Sequence, residues 1–245
     1  MAGELRRPGA SPPELQYTVA RDGDMGGFML ARQGQPTLDA ADLGELLFLL
    51  EKDITVALQQ RRPDLLFFHA AALEHGGKVY LLAGDSGQGK STTAWGLLHH
   101  GFRYLSDELA PVEPASLLVH GYPHALCMKR RPPAACPLPV GQVLDLCETL
   151  HVPVAALPAG VAASPSPLAA ILFVQYDPGL QAPSLQAIGA AEAAARLYVS
   201  TLNALAHPAH GLDAVLRVAQ GVPCFVLHAA ELGATCELVG RMADG

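Results

Sequence analysis

The chain has 245 residues, 16 basic and 23 acidic side chains and a formal charge of -7, and half of its residues are hydrophobic. That is enough for one large domain or two small ones around a substantial core, and the acidic balance excludes a broad cationic footprint for nucleic acid or anionic lipid. Five cysteines, odd in number and without a C-x-x-C pair, fit neither a disulfide framework nor a zinc site and read as reduced, mostly buried thiols.

Residues 1–14, rich in Pro, Gly and Arg, read as disordered. They have a positive start but no apolar h-region, and no later segment offers about 18 uninterrupted apolar residues, so a soluble cytoplasmic protein without membrane contact is expected. Residues 15–35 alternate short apolar pieces with Asp-Gly and Gly-Gly turns, which predicts a small β-meander. From Asp39 to about Gln60, the spacing of Leu43, Leu46, Leu47, Leu50, Ile54 and Leu58 predicts a helix.

Leu65 to Leu73 and Val79 to Ala83 read as strands joined by a Gly76-Gly77 turn. Ala94, Leu97 and Leu98 then take helical spacing, with Gly101 as a stop, and a strand through Tyr104 and Leu105 runs into Ser106-Asp107-Glu108. The Pro-rich stretch 132–167 reads as an irregular connection. Leu168 to Tyr176 reads as a buried strand, Ala190 to Leu205 and Leu212 to Ala219 as helices, Cys224 to Leu227 as a strand and Glu231 to Met242 as a final helix.

Between the second strand and the helix stand Gly84-Asp85-Ser86-Gly87-Gln88-Gly89-Lys90-Ser91-Thr92, which satisfy G-x-x-x-x-G-K-[ST]. Glycines let the backbone curl so that successive N–H groups point at phosphate oxygens, and the helix beginning near Lys90 adds its positive dipole end. Lys90, one of only four lysines in the chain, is suited to neutralise the β and γ phosphates, and Ser91 to complete a Mg²⁺ shell. Asp107, seventeen residues on and at the end of the next strand, is placed to hold the same metal or its waters. Glu108 beside it can share that work or take the proton of an attacking hydroxyl. A histidine in an apolar run, as at Phe67-Phe68-His69-Ala70-Ala71, is more often a hydrogen-bonded core residue than a site residue.

With these residues in hand, the sequence resembles the catalytic domain of the HPr kinase/phosphorylase family and its shorter HPr-kinase-related P-loop serine kinases. The loop there reads Gly-Asp-Ser-Gly-x-Gly-Lys-Ser, matched from Gly84 to Ser91. A functional histidine stands twenty-one residues before the loop lysine, the place of His69. An Asp-Asp pair follows a Gly-x-Arg segment, here Gly101-Phe102-Arg103-Tyr104-Leu105-Ser106 followed by Asp107-Glu108. The match covers residues 64 to about 131. The second acid is Glu rather than Asp, the downstream Glu-x-Arg-Gly metal segment is absent, and Pro123 to Lys129 looks like the Pro-x-x-φ-x-φ-Lys stretch (φ apolar) of the related subgroup.

The resemblance implies an α/β fold: a P-loop kinase core with a mixed central sheet flanked by helices, similar to the nucleotide core of HPr kinase and phosphoenolpyruvate carboxykinase. A short N-terminal region, 1–62, would pack on a catalytic domain spanning 63–245. It further implies transfer of the γ-phosphoryl group of MgATP to a hydroxyl, foremost a serine of a protein or peptide. His69, Lys90, Asp107 and Glu108 would be catalytic, Gly84 to Thr92 would bind nucleotide, and Ser91 and Asp107 would hold Mg²⁺. Which of Asp107 and Glu108 is the base stays open, as does whether the chain forms a homo-oligomer as HPr kinases do. Two alternatives stand beside this reading: a kinase of free serine or a sugar, and a non-catalytic nucleotide-responsive module.

Overall fold

The computed structural model describes residues 15–21, 26–146 and 148–245. The expected disorder of residues 1–14, the turn at Asp22-Gly23 and the thiol of Cys147 lie outside them. The chain divides into two compact units, Met1–Leu58 and Gln59–Gly245.

In the first unit, β1 (Tyr17–Arg21), β2 (Phe28–Arg32) and β3 (Leu38–Ala40) form an antiparallel meander, followed by α1 (Leu43–Arg61). The helix does not start at Asp39, as its apolar spacing predicts, because Asp39 pairs with Met29 in β3. It starts at a capping box instead: Asp42 accepts from the Glu45 amide at 2.9 Å, and Glu45 accepts from the Ala41 amide at 2.8 Å. Leu30, Ala40 and Leu46 form this unit's small core.

The second unit carries the remaining elements, in chain order β4 (Leu66–Phe68), β5 (Ala71–His75), β6 (Lys78–Ala83), α2 (Lys90–His99), β7 (Arg103–Ser106), β8 (Ala110–Val112) and β9 (Leu118–Val119). There follow β10 (Leu126–Met128), β11 (Leu144–Leu146), β12 (Thr149–Val152), β13 (Ser166–Tyr176), β14 (Ser184–Ile188), α3 (Ala190–Val199), α4 (Leu212–Gly221), β15 (Cys224–Ala229) and α5 (Leu232–Asp244). Nine strands make one mixed sheet. The long strand β13 runs parallel to both β6 and β15, while its first residues pair antiparallel with β9 and so link β9, β8 and β4 to the rest. Parallel strands covered on both faces read as continuous apolar runs, which is the pattern of Val79–Ala83 and Ala170–Val174. One face packs on Trp95, Leu97 and Leu98 of α2 and on Cys236 and Val239 of α5, the other on Ala193 and Leu197 of α3 and Val215 and Val218 of α4. A mixed α/β architecture is thus the fold.

Three expectations need correction, and one strand is added. Leu65 to Leu73 is two strands: Ala70 N–H turns back to the Phe68 carbonyl at 2.9 Å, and the break at His69 and Ala70 sends β4 to β8 and β5 to β6 and β7. The helix from Ala190 ends at Val199, because the next residues run along β4, with Leu202 N–H on the Phe67 carbonyl at 2.8 Å and His69 N–H on the Ser200 carbonyl at 2.7 Å. Buried Asn203 locks this course, accepting from the Phe67 amide and donating to the Leu65 carbonyl, each at 2.9 Å. The stretch 132–167 contains β11 and β12, which form a separate three-stranded sheet with β10, and β14 adds an edge to β15 that its polar alternation did not announce.

Gly96 fixes how closely the loop helix approaches α5: a Cβ there would lie 2.6 Å from Cys236 Sγ and 2.8 Å from Leu232 Cδ1. Gly96→Val should therefore cost about 1–3 kcal/mol by overpacking, read as a lower urea midpoint. An unchanged midpoint would show that this contact is loose.

Candidate functional site

The loop from Gly84 to Gly89 leaves the carboxyl end of β6, where parallel β-strands leave an open crevice. Its glycines are required by geometry. Gly84 has φ +136°, and a Cβ on it would come within 2.8 Å of the Val174 carbonyl, while Gly89, at φ +92°, turns the chain into α2. The Thr93 amide donates to the Gly89 carbonyl at 2.8 Å, so the helical ladder begins directly behind the loop.

Lys90 is only 7% exposed, although it is charged. Its Nζ donates to the carbonyls of Gly84 at 2.8 Å and Asp85 at 3.1 Å, across the mouth of its own loop. Burial lowers its pKa, and the charges of Asp107, Glu108 and Asp85 oppose that fall. A second cation stands at the rim, where Lys129 Nζ donates to Ser86 Oγ at 2.8 Å.

Asp107 follows β7 and is completely buried. Burial first, and then the charge of Glu108, push its pKa up to about 6, against His124, the Ser91 hydroxyl and the Cys127 amide, which act in the other direction. Its Oδ2 accepts from that amide at 3.3 Å, whereas Oδ1 has no hydrogen-bond partner among the described residues. His124 Nε2 donates to the Asp107 carbonyl and fixes the backbone there. Glu108 is exposed at φ +62°, a left-handed conformation rare for a residue with a side chain, so a buried and an exposed acid stand side by side in the chain.

His69 sits half-buried at the break between β4 and β5. Burial, then the charges of Lys90 and Lys129, lower its pKa, and Glu108 opposes them, so the ring is neutral near pH 7. The charge of Glu108 acts on His69, Lys90 and Asp107 alike, and that of Lys129 on His69 and Lys90, so residues from three separated sequence segments lie around one locus. Ser91 and Thr92 lie half-buried in the first turn of α2, and Asp85, Ser86 and Gly87 are exposed at the tip of the loop.

Chemically, this locus offers backbone amides and a helix N-terminus for an anion, two ammonium groups, and a hydroxyl beside an unsatisfied carboxylate. No group of three or more His, Cys, Asp or Glu side chains suited to a metal occurs among the described residues. The donor set is that of a cation sharing its shell with phosphate oxygens and water rather than of an all-protein cage. The sequence reading assigned no site role to His124 or to the Cys127 amide, which meet Asp107 in the fold. Neither of them carries a spacing signal, because strand pairing and loop course bring them to the site. Cys136, Cys224 and Cys236 are free, buried thiols.

No protein-family model matches the chain. No curated protein matches it either. Among solved structures, it is similar to the Hpr(Ser) kinase/phosphatase from Coxiella burnetii at 13% identity and a TM-score of 0.37, over 73% of this chain and 95% of that one.

The raised pKa of Asp107 has a thermodynamic consequence. The folded state holds its proton up to about pH 6, whereas the unfolded chain releases it near about 4. The stabilisation is complete below the unfolded value and is lost as pH rises through the folded one. Asp107→Asn should therefore gain on the wild type by about 2–3 kcal/mol between pH 4.5 and pH 7.5, measured by urea unfolding in chelator. A difference that does not vary with pH would contradict this.

Proposed function

We propose that the chain is an ATP-dependent kinase that transfers the γ-phosphoryl group to a hydroxyl, a serine of a protein or peptide. The observation that carries this reading is the convergence of a buried loop lysine, a buried carboxylate with an unsatisfied oxygen beside Ser91, an exposed acid and a neutral histidine on one glycine loop. An anion site alone needs only the loop. The acids and the histidine add what a transfer to a hydroxyl requires.

The loop amides, the α2 N-terminus and Lys90 hold the triphosphate, with Lys129 adding charge from the rim. Ser91 and Asp107 fit Mg²⁺, because the unpartnered Asp107 Oδ1 and the strain of an anion buried next to Glu108 are both relieved by a cation. When bound there, the ion supplies charge neutralisation at the β and γ phosphate oxygens. The ring N–H of neutral His69 donates to one lone pair of the acceptor oxygen and orients it, and Glu108 accepts the hydroxyl hydrogen and takes that proton as a second lone pair attacks. The acceptor oxygen bonds to the γ phosphorus as the bond from that phosphorus to the β–γ bridging oxygen breaks, and ADP leaves. Most of the acceleration comes from positioning and charge, as phosphoryl transfer demands. The loop reads phosphates and not the base.

Assigning the base to Glu108 separates chemistry from binding. Glu108→Gln should lower kcat about a hundredfold to ten-thousandfold and leave the dissociation constant for MgATP, measured by calorimetry, within about twofold. A variant of full activity would remove Glu108 from the mechanism, and one that loses ATP affinity to the same degree would make it a binding residue.

A further inference from the structure

A cavity of about 360 Å³ opens between the loop and the end of α3, on the opposite side of the β6–β13 pair from α2. Gly84, Asp85 and Gln88 form its loop wall, and Phe173, Arg196 and Ser200 are among the residues opposite. It adjoins His69 directly, because the Ser200 carbonyl in its wall accepts the His69 amide at 2.7 Å. The cavity and the locus of Lys90, Asp107 and Glu108 thus share the loop, and the His69 backbone is tied to a residue of the cavity wall.

Its chemistry is specific. Arg196 lies over the Phe173 ring at 5.9 Å, which braces the guanidinium from one side. Nε and Nη2 meet Glu192 one turn earlier, at 2.9 and 2.8 Å, and this leaves the two Nη1 donors for a second acceptor. Glu192 is itself half exposed, and an ion pair of that kind is weak enough to be shared or exchanged. Beside Arg196 the cavity wall includes Val199, which is 81% exposed. An exposed aliphatic side chain next to a cation, in the wall of a cleft, suits a polypeptide that carries an acid and an apolar residue rather than a small polar alcohol.

We infer that this cavity is the acceptor subsite and that it selects serine-bearing peptides with a carboxylate close to the serine, bound by Arg196, and an apolar residue resting on Val199. The inference rests on the kinase reading above and adds the substrate class. Asp85 lines the cavity and Glu192 pairs with Arg196, so a basic neighbour of the serine is the natural beneficiary if the guanidinium is replaced by an acid.

The test uses the full chain with MgATP and a peptide library in which a central serine is flanked by randomised positions, with phosphopeptides identified by mass spectrometry. Free L-serine is run in parallel, and ATP affinity is measured by calorimetry for every variant. In the wild type, phosphorylated members should be enriched in Asp or Glu near the serine. Arg196→Glu should cut kcat/KM for those peptides about tenfold to a hundredfold, mostly through KM, and shift the enrichment toward Lys and Arg, with ATP affinity unchanged. Arg196→Lys should restore part of the loss. Val199→Asp should raise KM for apolar-flanked peptides only. A wild-type profile without acidic bias, a bias that survives Arg196→Glu, or free serine used as well as the best peptide would overturn the inference while leaving the kinase intact. Bound ATP with no transfer to any peptide or to serine would overturn both.

Discussion

An ammonium group buried at the end of a buried strand is the constraint on which the second unit is organised. Leaving Lys90 out of water is costly unless it is paired and hydrogen-bonded. The chain meets that cost with two loop carbonyls at the mouth and with carboxylates that arrive from other segments. The carbonyls can point inward only because Gly84 and Gly89 take backbone conformations open to glycine, and because the Val174 carbonyl leaves no room for a side chain at Gly84. Parallel pairing of β6 with β13 holds that carbonyl in place, so the loop geometry and the sheet topology are one requirement.

The loop and its flanking elements were legible because local rules govern them. An apolar strand, glycines at fixed offsets, a helix with apolar spacing and an acidic pair at a strand end all fall within about 25 residues of Gly84, and each appears where the spacing puts it. What could not be read depends on distant partners. The break at His69 exists because β4 takes residues 200–203 as neighbours, and Asn203, more than a hundred residues later, holds that edge. The same pairing ends α3 at Val199 against an alanine-rich sequence that would otherwise continue it. β11, β12 and β14 were missed for the same reason: short strands rich in polar residues acquire their state from a pairing partner, not from their own pattern.

The site follows from these two kinds of information together. Local sequence provides Lys90 and Ser91, tertiary structure brings His69 and Asp107 to them, and Arg196 lines a cavity with Gly84, Asp85 and Gln88 of the loop. Burial then sets the protonation states, with Asp107 disposed to hold a proton or a cation and His69 disposed to be neutral. In the proposed kinase, a carboxylate and a histidine with opposite shifts around one glycine loop divide the labour between holding charge and guiding a hydroxyl.

The most direct test of the kinase reading is to incubate the full chain with Mg²⁺, ATP labelled at the γ phosphorus and a pool of serine-bearing peptides, and to locate the label by mass spectrometry. The expected result is phosphoserine formed by the wild type and none by Lys90→Ala. Tight ATP binding with no label moved to any peptide, alcohol or water would contradict it and make the chain a nucleotide-responsive module instead.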